Sequence, residues 1–248
     1  MELEVQFQAI NSLEAVYVDN VEPPLLLVGS LRPNGRQRYS AAHEIGHHVF
    51  GHGTTLHELR TDGARRPKDP KEFLADVFAS FLLMPKLAVS KALVSRGLKV
   101  ETITAEELYG LACYFGVGYT TIILHMEANL RFLTKARATD LSQATPKQLR
   151  AVLAGDEQAS ELLVVDHQWV GRPADLSVND LILLPDGTRI EGDALTVIRE
   201  EDGNITARAA TPGIARLTTA DEGWALFARV SRTAYAGRSI FRHDPEEP

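Results

Sequence analysis

The first thirty residues carry β-type alternation, in Val5-Gln6-Phe7-Gln8 and again in Ala15-Val16-Tyr17-Val18, followed by the apolar run Leu25-Leu26-Leu27-Val28-Gly29. Such stretches predict strands, here a small sheet. After the turn-rich Arg32-Pro33-Asn34-Gly35 the period changes. Ala41, Ile45 and Val49 recur every four residues, which predicts a helix with one buried side. Ser40 suits its N-cap, and Gly51 and Gly53 supply a stop after Phe50.

A polar connection over residues 51–69 leads to a second helical stretch, Asp69 to Pro85, with Asp69 as cap, Pro70 in the first turn and Pro85 closing the run. Residues 86–135 read as further helices. Thr104-Ala105-Glu106-Glu107 opens one, Gly116-Val117-Gly118 makes a turn, and Tyr119 to Leu133 supplies the next, a helix-turn-helix in outline. The pattern turns polar over Lys135 to Thr145, and Thr145-Pro146 opens a short helix to about Leu153. Short strands follow at Leu162–Val165, Asp180–Leu184, Leu195–Arg199, Ile205–Ala209 and Trp224–Val230, with hairpin signals at Asp186-Gly187 and Asp202-Gly203. The expected fold class is α+β: a domain of residues 1–138 with a small sheet and helices, then a mostly β domain of residues 139–248.

Composition narrows the class. The chain has 248 residues, enough for a proper core, and a formal charge of −7, which argues against broad binding to a phosphate backbone. The exposed positions expected on the second helix of the pair include Thr120, Thr121, His125, Glu127, Asn129 and Arg131, a poor set for reading DNA. Its expected role is packing, or contact with a protein. A single cysteine, Cys113, rules out an intramolecular disulfide framework and reads as a small core residue. No basic-then-apolar leader and no apolar run near 18 residues is present, so the expectation is a cytoplasmic protein with no membrane contact.

The chemistry concentrates in His43-Glu44-Ile45-Gly46-His47, an H-E-x-x-H pattern. Residues four apart share a helix face, so His43 and His47 aim two imidazoles at one point, which suits zinc with room for a third protein ligand and a water. Glu44 projects about 100° round the helix, close enough to take a proton from that water. The bare motif arises by chance in roughly 2% of chains of this composition and length, so a downstream partner matters. In the second helical stretch Glu72 and Asp76 stand one turn apart among apolar residues. Glu72 could reach back to the helix cap instead. Asp76, beside Phe73, Val77, Phe78 and Ala79, needs a partner, and orienting a histidine through its second ring nitrogen would be one.

The motif His43-Glu44-Ile45-Gly46-His47, followed by Glu72-Phe73-Leu74-Ala75-Asp76-Val77-Phe78-Ala79 and Leu82-Leu83-Met84-Pro85, resembles the ImmA/IrrE metallopeptidases over roughly residues 20–135. The resemblance implies a zincin-like metallopeptidase domain in which Glu72 is the third ligand, after His43 and His47, of Zn2+ or another divalent ion such as Mn2+. It implies an endopeptidase whose substrate is a DNA-binding repressor. The rivals are a metal-bearing module that binds a repressor without cutting it, and a helix-turn-helix regulator. His48, His52 and His57 read as structural or solvent-facing, with an oxyanion-stabilising role open to one of them. Arg60, Arg65, Arg66 and Lys68 read as a solvated loop. The β-rich part could sense a signal, bind a partner or restrain the protease, and Asp166-His167 reads as incidental.

Overall fold

Strands β1 (Glu4–Gln8), β2 (Leu13–Val18) and β3 (Leu25–Gly29) do build a sheet, and the computed structural model adds two strands to it. The structure describes residues 3–58, 69–155, 161–201, 203–219 and 223–244. β4 (Thr55–Glu58) pairs antiparallel with β2, and β13 (Gly237–Arg238), from the far end of the chain, pairs antiparallel with β1. The order is β13-β1-β3-β2-β4, with β1 and β3 parallel. Phe7, Leu26 and Val28 point to one face and bury with Tyr235, and Ala41 and Ile45 pack onto that cluster.

Ala41 and Ile45 belong to α1 (Asn34–Val49), which begins six residues before Ser40. Pro33, at φ −51° and ψ 144°, turns the chain, and its carbonyl accepts from Arg36 and Gln37 N–H at 2.8 and 3.0 Å. Gln37 is buried and donates to the Arg32 carbonyl at 2.5 Å, so a side chain inside the helix steadies the entry turn that Ser40 was expected to cap. The third member of the expected apolar stripe, Val49, is 44% exposed. Besides Gln37, the buried positions are instead Ala42, His43, Glu44, Gly46 and His47. Two faces of α1 are covered: one on the sheet, the other on α2 (Pro70–Leu83).

α2 starts as its sequence predicts, with Asp69 accepting from Lys71 N–H at 2.9 Å and Pro70 in the first turn. Its buried side is a narrow stripe of small residues, Ala75, Ala79 and Ser80, while Phe73, Leu74, Phe81 and Leu82 stay exposed. Small residues win that side because α1 comes so close. A Cβ on Gly46 would stand 3.1 Å from Ala75 Cα and 3.2 Å from Phe78 Cδ1.

Contacts group the chain into two units, Met1–Pro85 with Thr233–Arg242, and Lys86–Arg232 with His243–Pro248. The division expected at residues 138/139 therefore falls inside the second unit. There α3 (Lys86–Ser95), α4 (Ala105–Phe115), α5 (Tyr119–Leu124), α6 (Lys135–Leu141) and α7 (Pro146–Ala154) share one unit with the β-rich part, to which two side chains tie them. Tyr109 of α4 donates to the Leu162 carbonyl at 2.8 Å, and Arg96 pairs with both oxygens of Asp166 at 2.6 and 3.0 Å. Asp166 is thus an anchor rather than incidental. Thr104 and Thr145 form the capping boxes that open α4 and α7. α5 is shorter than expected: it passes into a π turn at His125–Asn129, and Arg131 at φ 59° ends it before Leu133. α4 and the α5 run are bent by 98°, in the range of a helix-turn-helix.

The β-rich part holds two sheets. β5 (Leu162–Val164), β7 (Leu181–Pro185), β10 (Asn204–Ala209) and β9 (Leu195–Glu201) make one; β6 (Ala174–Ser177), β12 (Ala225–Ser231), β11 (Gly213–Thr218) and β8 (Arg189–Glu191) make the other, each in that order. β9 and β10 form the antiparallel pair signalled at residues 202–203, of which Asp202 lies outside the described residues. Asp186-Gly187 makes a turn but no hairpin, because β7 and β8 join different sheets. β11 escapes its pattern because Ala215 and Leu217 are buried while the larger Ile214 faces out.

With the break at Met84–Pro85 included, Pro70–Ser95 is long and apolar enough to cross a membrane by length and composition. Only 33% of its most apolar window is buried, yet its first half supplies two carboxylates to the cluster described next.

Candidate metal centre

Two facts of helix geometry meet at the α1–α2 contact. On α1 the one-turn spacing stacks the rings of His43 and His47 with centroids 4.8 Å apart, their Nε2 atoms 3.0 Å from one another. On α2, Ala75 packs against Gly46, so Glu72 and Asp76, which flank Ala75, come alongside His43. Glu72 Oε2 lies 3.4 Å from His43 Nε2, and Glu72 Oε1 lies 3.3 Å from His47 Nε2. The carboxylate faces the rings rather than its helix cap, which Asp69 already serves.

Among the described residues His43, His47 and Glu72 form a group that could hold a metal ion. A tetrahedral site with bonds of about 2.0–2.1 Å has ligand atoms about 3.3 Å apart. Separations of 3.0, 3.3 and 3.4 Å fit that spacing. His43 and His47 are buried and Glu72 is partly exposed. Two neutral imidazoles and one carboxylate form a donor set that suits a divalent ion of borderline softness.

The surrounding contacts orient the same groups. Asp76 Oδ1 lies 2.9 Å from His43 Nδ1 and accepts its proton, which turns the lone pair of Nε2 towards Glu72. The Asp76 side chain is 39% exposed, so its partner is this histidine and not an apolar enclosure. Tyr39, one turn before His43, reaches the Asp76 carbonyl and Ser80 Oγ, both at 3.4 Å. Glu44, one residue round the helix, is buried, and its Oε2 accepts from Thr55 Oγ1 at 2.5 Å. Thr55 opens β4, the last strand in the sheet order among the described residues, so that edge begins beside Glu44.

His43, His47, Glu72 and Asp76 therefore lie together, and Glu44 follows His43 on α1 with its carboxylate on Thr55. His48 faces the other way and meets the Tyr17 hydroxyl at 2.6 Å through Nδ1. Two further residues join them, the first of which was not foreseen. One is Thr55. The other is His52, whose Nδ1 lies 2.9 Å from Nδ1 of His47. The glycine before His52 was the only local signal for the latter. The side chain of His57 and the residues Arg60, Arg65, Arg66 and Lys68 lie outside the described residues.

A comparison with curated proteins finds no match. A family model does match: residues 4–126 fit the peptidase M78 family, described as the IrrE N-terminal-like domain. The matched stretch runs from β1 through the first residues of the π turn and includes both α1 and α2. Through this N-terminal half, and with a His43–His47–Glu72 group able to take a divalent metal, the chain belongs to the IrrE-like family of metallopeptidases.

Proposed function

We propose that the protein is a zinc-dependent endopeptidase that cuts a DNA-binding repressor in the cytoplasm and so relieves transcriptional repression. The observation that carries the peptidase reading is the convergence of His43, His47 and Glu72 beside a buried Glu44. His43 Nε2, His47 Nε2 and Glu72 would hold the metal; zinc is the ion that two histidines and a glutamate serve in hydrolytic centres, and manganese is the alternative. When bound, the ion supplies Lewis acidity, polarising the scissile carbonyl and making water acidic enough to attack near neutral pH.

The remaining work belongs to the chain. Glu44 takes the proton of the attacking water and returns it to the departing amine, so it serves first as base and then as acid. Thr55 donates to Glu44 Oε2 and sets the rotation of the carboxylate. Asp76 keeps His43 in one tautomer and one orientation. Among the described residues β4 is paired on one side only, by β2, and an extended peptide could add to its outer side as a further strand. Such docking would lead the peptide towards Glu44.

The repressor substrate rests on the family resemblance. Direct DNA binding has little support in the α5 run, whose exposed positions Thr120, Leu124, Ala128 and Asn129 carry no cation, with one exposed cation, Arg131, just after it. The test is co-expression with candidate repressors, followed by cleavage-site mapping and metal analysis of the purified protein. Specific cutting of one repressor, abolished by a chelator, is the expected result. Tight binding of a repressor that is never cut would replace the enzyme with a binding module.

A further inference from the structure

α1 ends in a way that delivers a side chain to the metal centre. His52 N–H donates to the His47 carbonyl at 3.0 Å, and Gly51 N–H donates to the His48 carbonyl at 3.2 Å. This pair of bonds, with Gly51 at φ +63°, is the Schellman ending, in which a left-handed glycine reverses the chain over the last turn. The reversal sets the His52 ring against that of His47, edge to face with centroids 4.9 Å apart, and the Phe50 ring supports it at 5.6 Å. The two Nδ1 atoms then meet at 2.9 Å.

Two identical atoms at that distance share one proton. His47 turns Nε2 to Glu72 and His43, and to donate that lone pair as a neutral ring it must carry its proton on Nδ1. His52 Nδ1 is then the acceptor. We propose that His52 is a positioning residue for His47, holding it in the Nδ1–H tautomer and fixing the ring's rotation, as Asp76 does for His43. The two ligand histidines are thereby steadied from different elements: His43 by a carboxylate on α2, His47 by a neutral imidazole on the turn that ends α1. An uncharged acceptor there avoids adding a fourth carboxylate to Glu72, Glu44 and Asp76. The proposal rests on the metal-centre reading but concerns a residue outside the His43–His47–Glu72 group.

The experiment measures zinc affinity by competition with a chromophoric chelator, with no peptide substrate, on the full chain and on His52→Leu and His52→Asn. Lost outer support of a metal-binding histidine typically costs 10–100-fold in affinity, and that is the expected loss in His52→Leu. His52→Asn, whose amide oxygen can stand where Nδ1 stood, should recover most of it. Nitrogen-15 NMR of the zinc-loaded wild type should show a His47 Nδ1–H that exchanges slowly with solvent. Equal affinity in folded His52→Leu overturns the proposal. Where both variants fail to fold, a His47 Nδ1–H that exchanges freely in the wild type overturns it. A wild type that binds no divalent ion sinks the metal-centre reading itself, so the two failures are told apart.

Discussion

Asp76 Oδ1 accepts from His43 Nδ1 at 2.9 Å, across the contact between α2 and α1. This bond decides which ring nitrogen of His43 is left to face Glu72. Asp76→Ala should therefore lower divalent-metal affinity about 10–100-fold while leaving the fold intact, since the carboxylate is partly solvent-facing. Asp76→Asn keeps an acceptor oxygen and should fall between. A chelator titration that gives the same constant for wild type and Asp76→Ala would count against this role.

Glu44→Gln removes the proton acceptor and keeps the shape. Gln can still accept from Thr55 Oγ1, so packing should hold. Metal content should stay near that of the wild type, and peptide cleavage should fall on the order of 10²–10⁴-fold, the usual contribution of a general acid–base group. Full cleavage by this variant, measured on the cognate repressor, would exclude Glu44 as the base.

Gly46 sets the distance between the helices. Gly46→Ala gains about 1 kcal/mol of helix propensity. Its Cβ would sit 3.1 Å from the Ala75 backbone, and such overpacking costs about 1–3 kcal/mol. Overpacking should outweigh the gain in propensity, giving a small net loss in thermal stability. A clear loss of metal affinity should accompany it, because Glu72 rides on the helix that is pushed away. Gly46→Val should be worse on both counts. Unchanged metal affinity in Gly46→Val would mean that the close approach is not what seats Glu72.

A chain ending at Ala138 tests the division of the molecule. It lacks β13, which pairs with β1, and Tyr235, which is buried with Phe7, Leu26 and Val28. It also lacks Leu162, whose carbonyl accepts from Tyr109. Cooperative unfolding should be lost or strongly weakened. A sharp melting transition and retained metal in that fragment would show residues 1–138 to be self-sufficient.

The second unit should answer to pH through Asp180. Burial, aided by Glu161 and opposed by the Ser177 N–H and Arg150, raises its carboxyl from an ordinary 3.8 to about 6. A raised folded pKa means that the folded state holds the proton more tightly than the unfolded one. Its stabilising contribution is complete below about pH 4 and is lost as pH rises through about 6, on the order of 2–3 kcal/mol. Glu161, raised by burial, acts in the same direction. Asp180→Asn can still accept from Ser177 N–H and should flatten this dependence when melting is followed from pH 4 to pH 8. An identical pH profile in the variant would assign the effect elsewhere.

The elements legible in the sequence are those whose causes lie within a few residues. The one-turn spacing of His43 and His47, the Asp69–Pro70 start of α2, the capping boxes at Thr104 and Thr145 and most core strands are each set by local periodicity or a single cap. The position of Glu72 one turn from Asp76 was equally plain, yet nothing local states that their helix lies on α1. That followed from Gly46 and Ala75, two small residues whose value appears only when the helices touch. The same holds for β13, which reaches β1 across some 230 residues to cover Phe7, and for β11, whose buried Ala215 carries too little apolar surface to mark a strand. His52 lies between these cases: Gly51 announces a turn, but only the finished turn aims the ring. Hydrogen-bonding period and capping act over one or two turns, so a sequence displays them directly. Which distant faces bury one another depends on the combined shape of both, and the metal centre, assembled from α1 and α2 and braced by the turn and β4 that follow α1, was decided at that level.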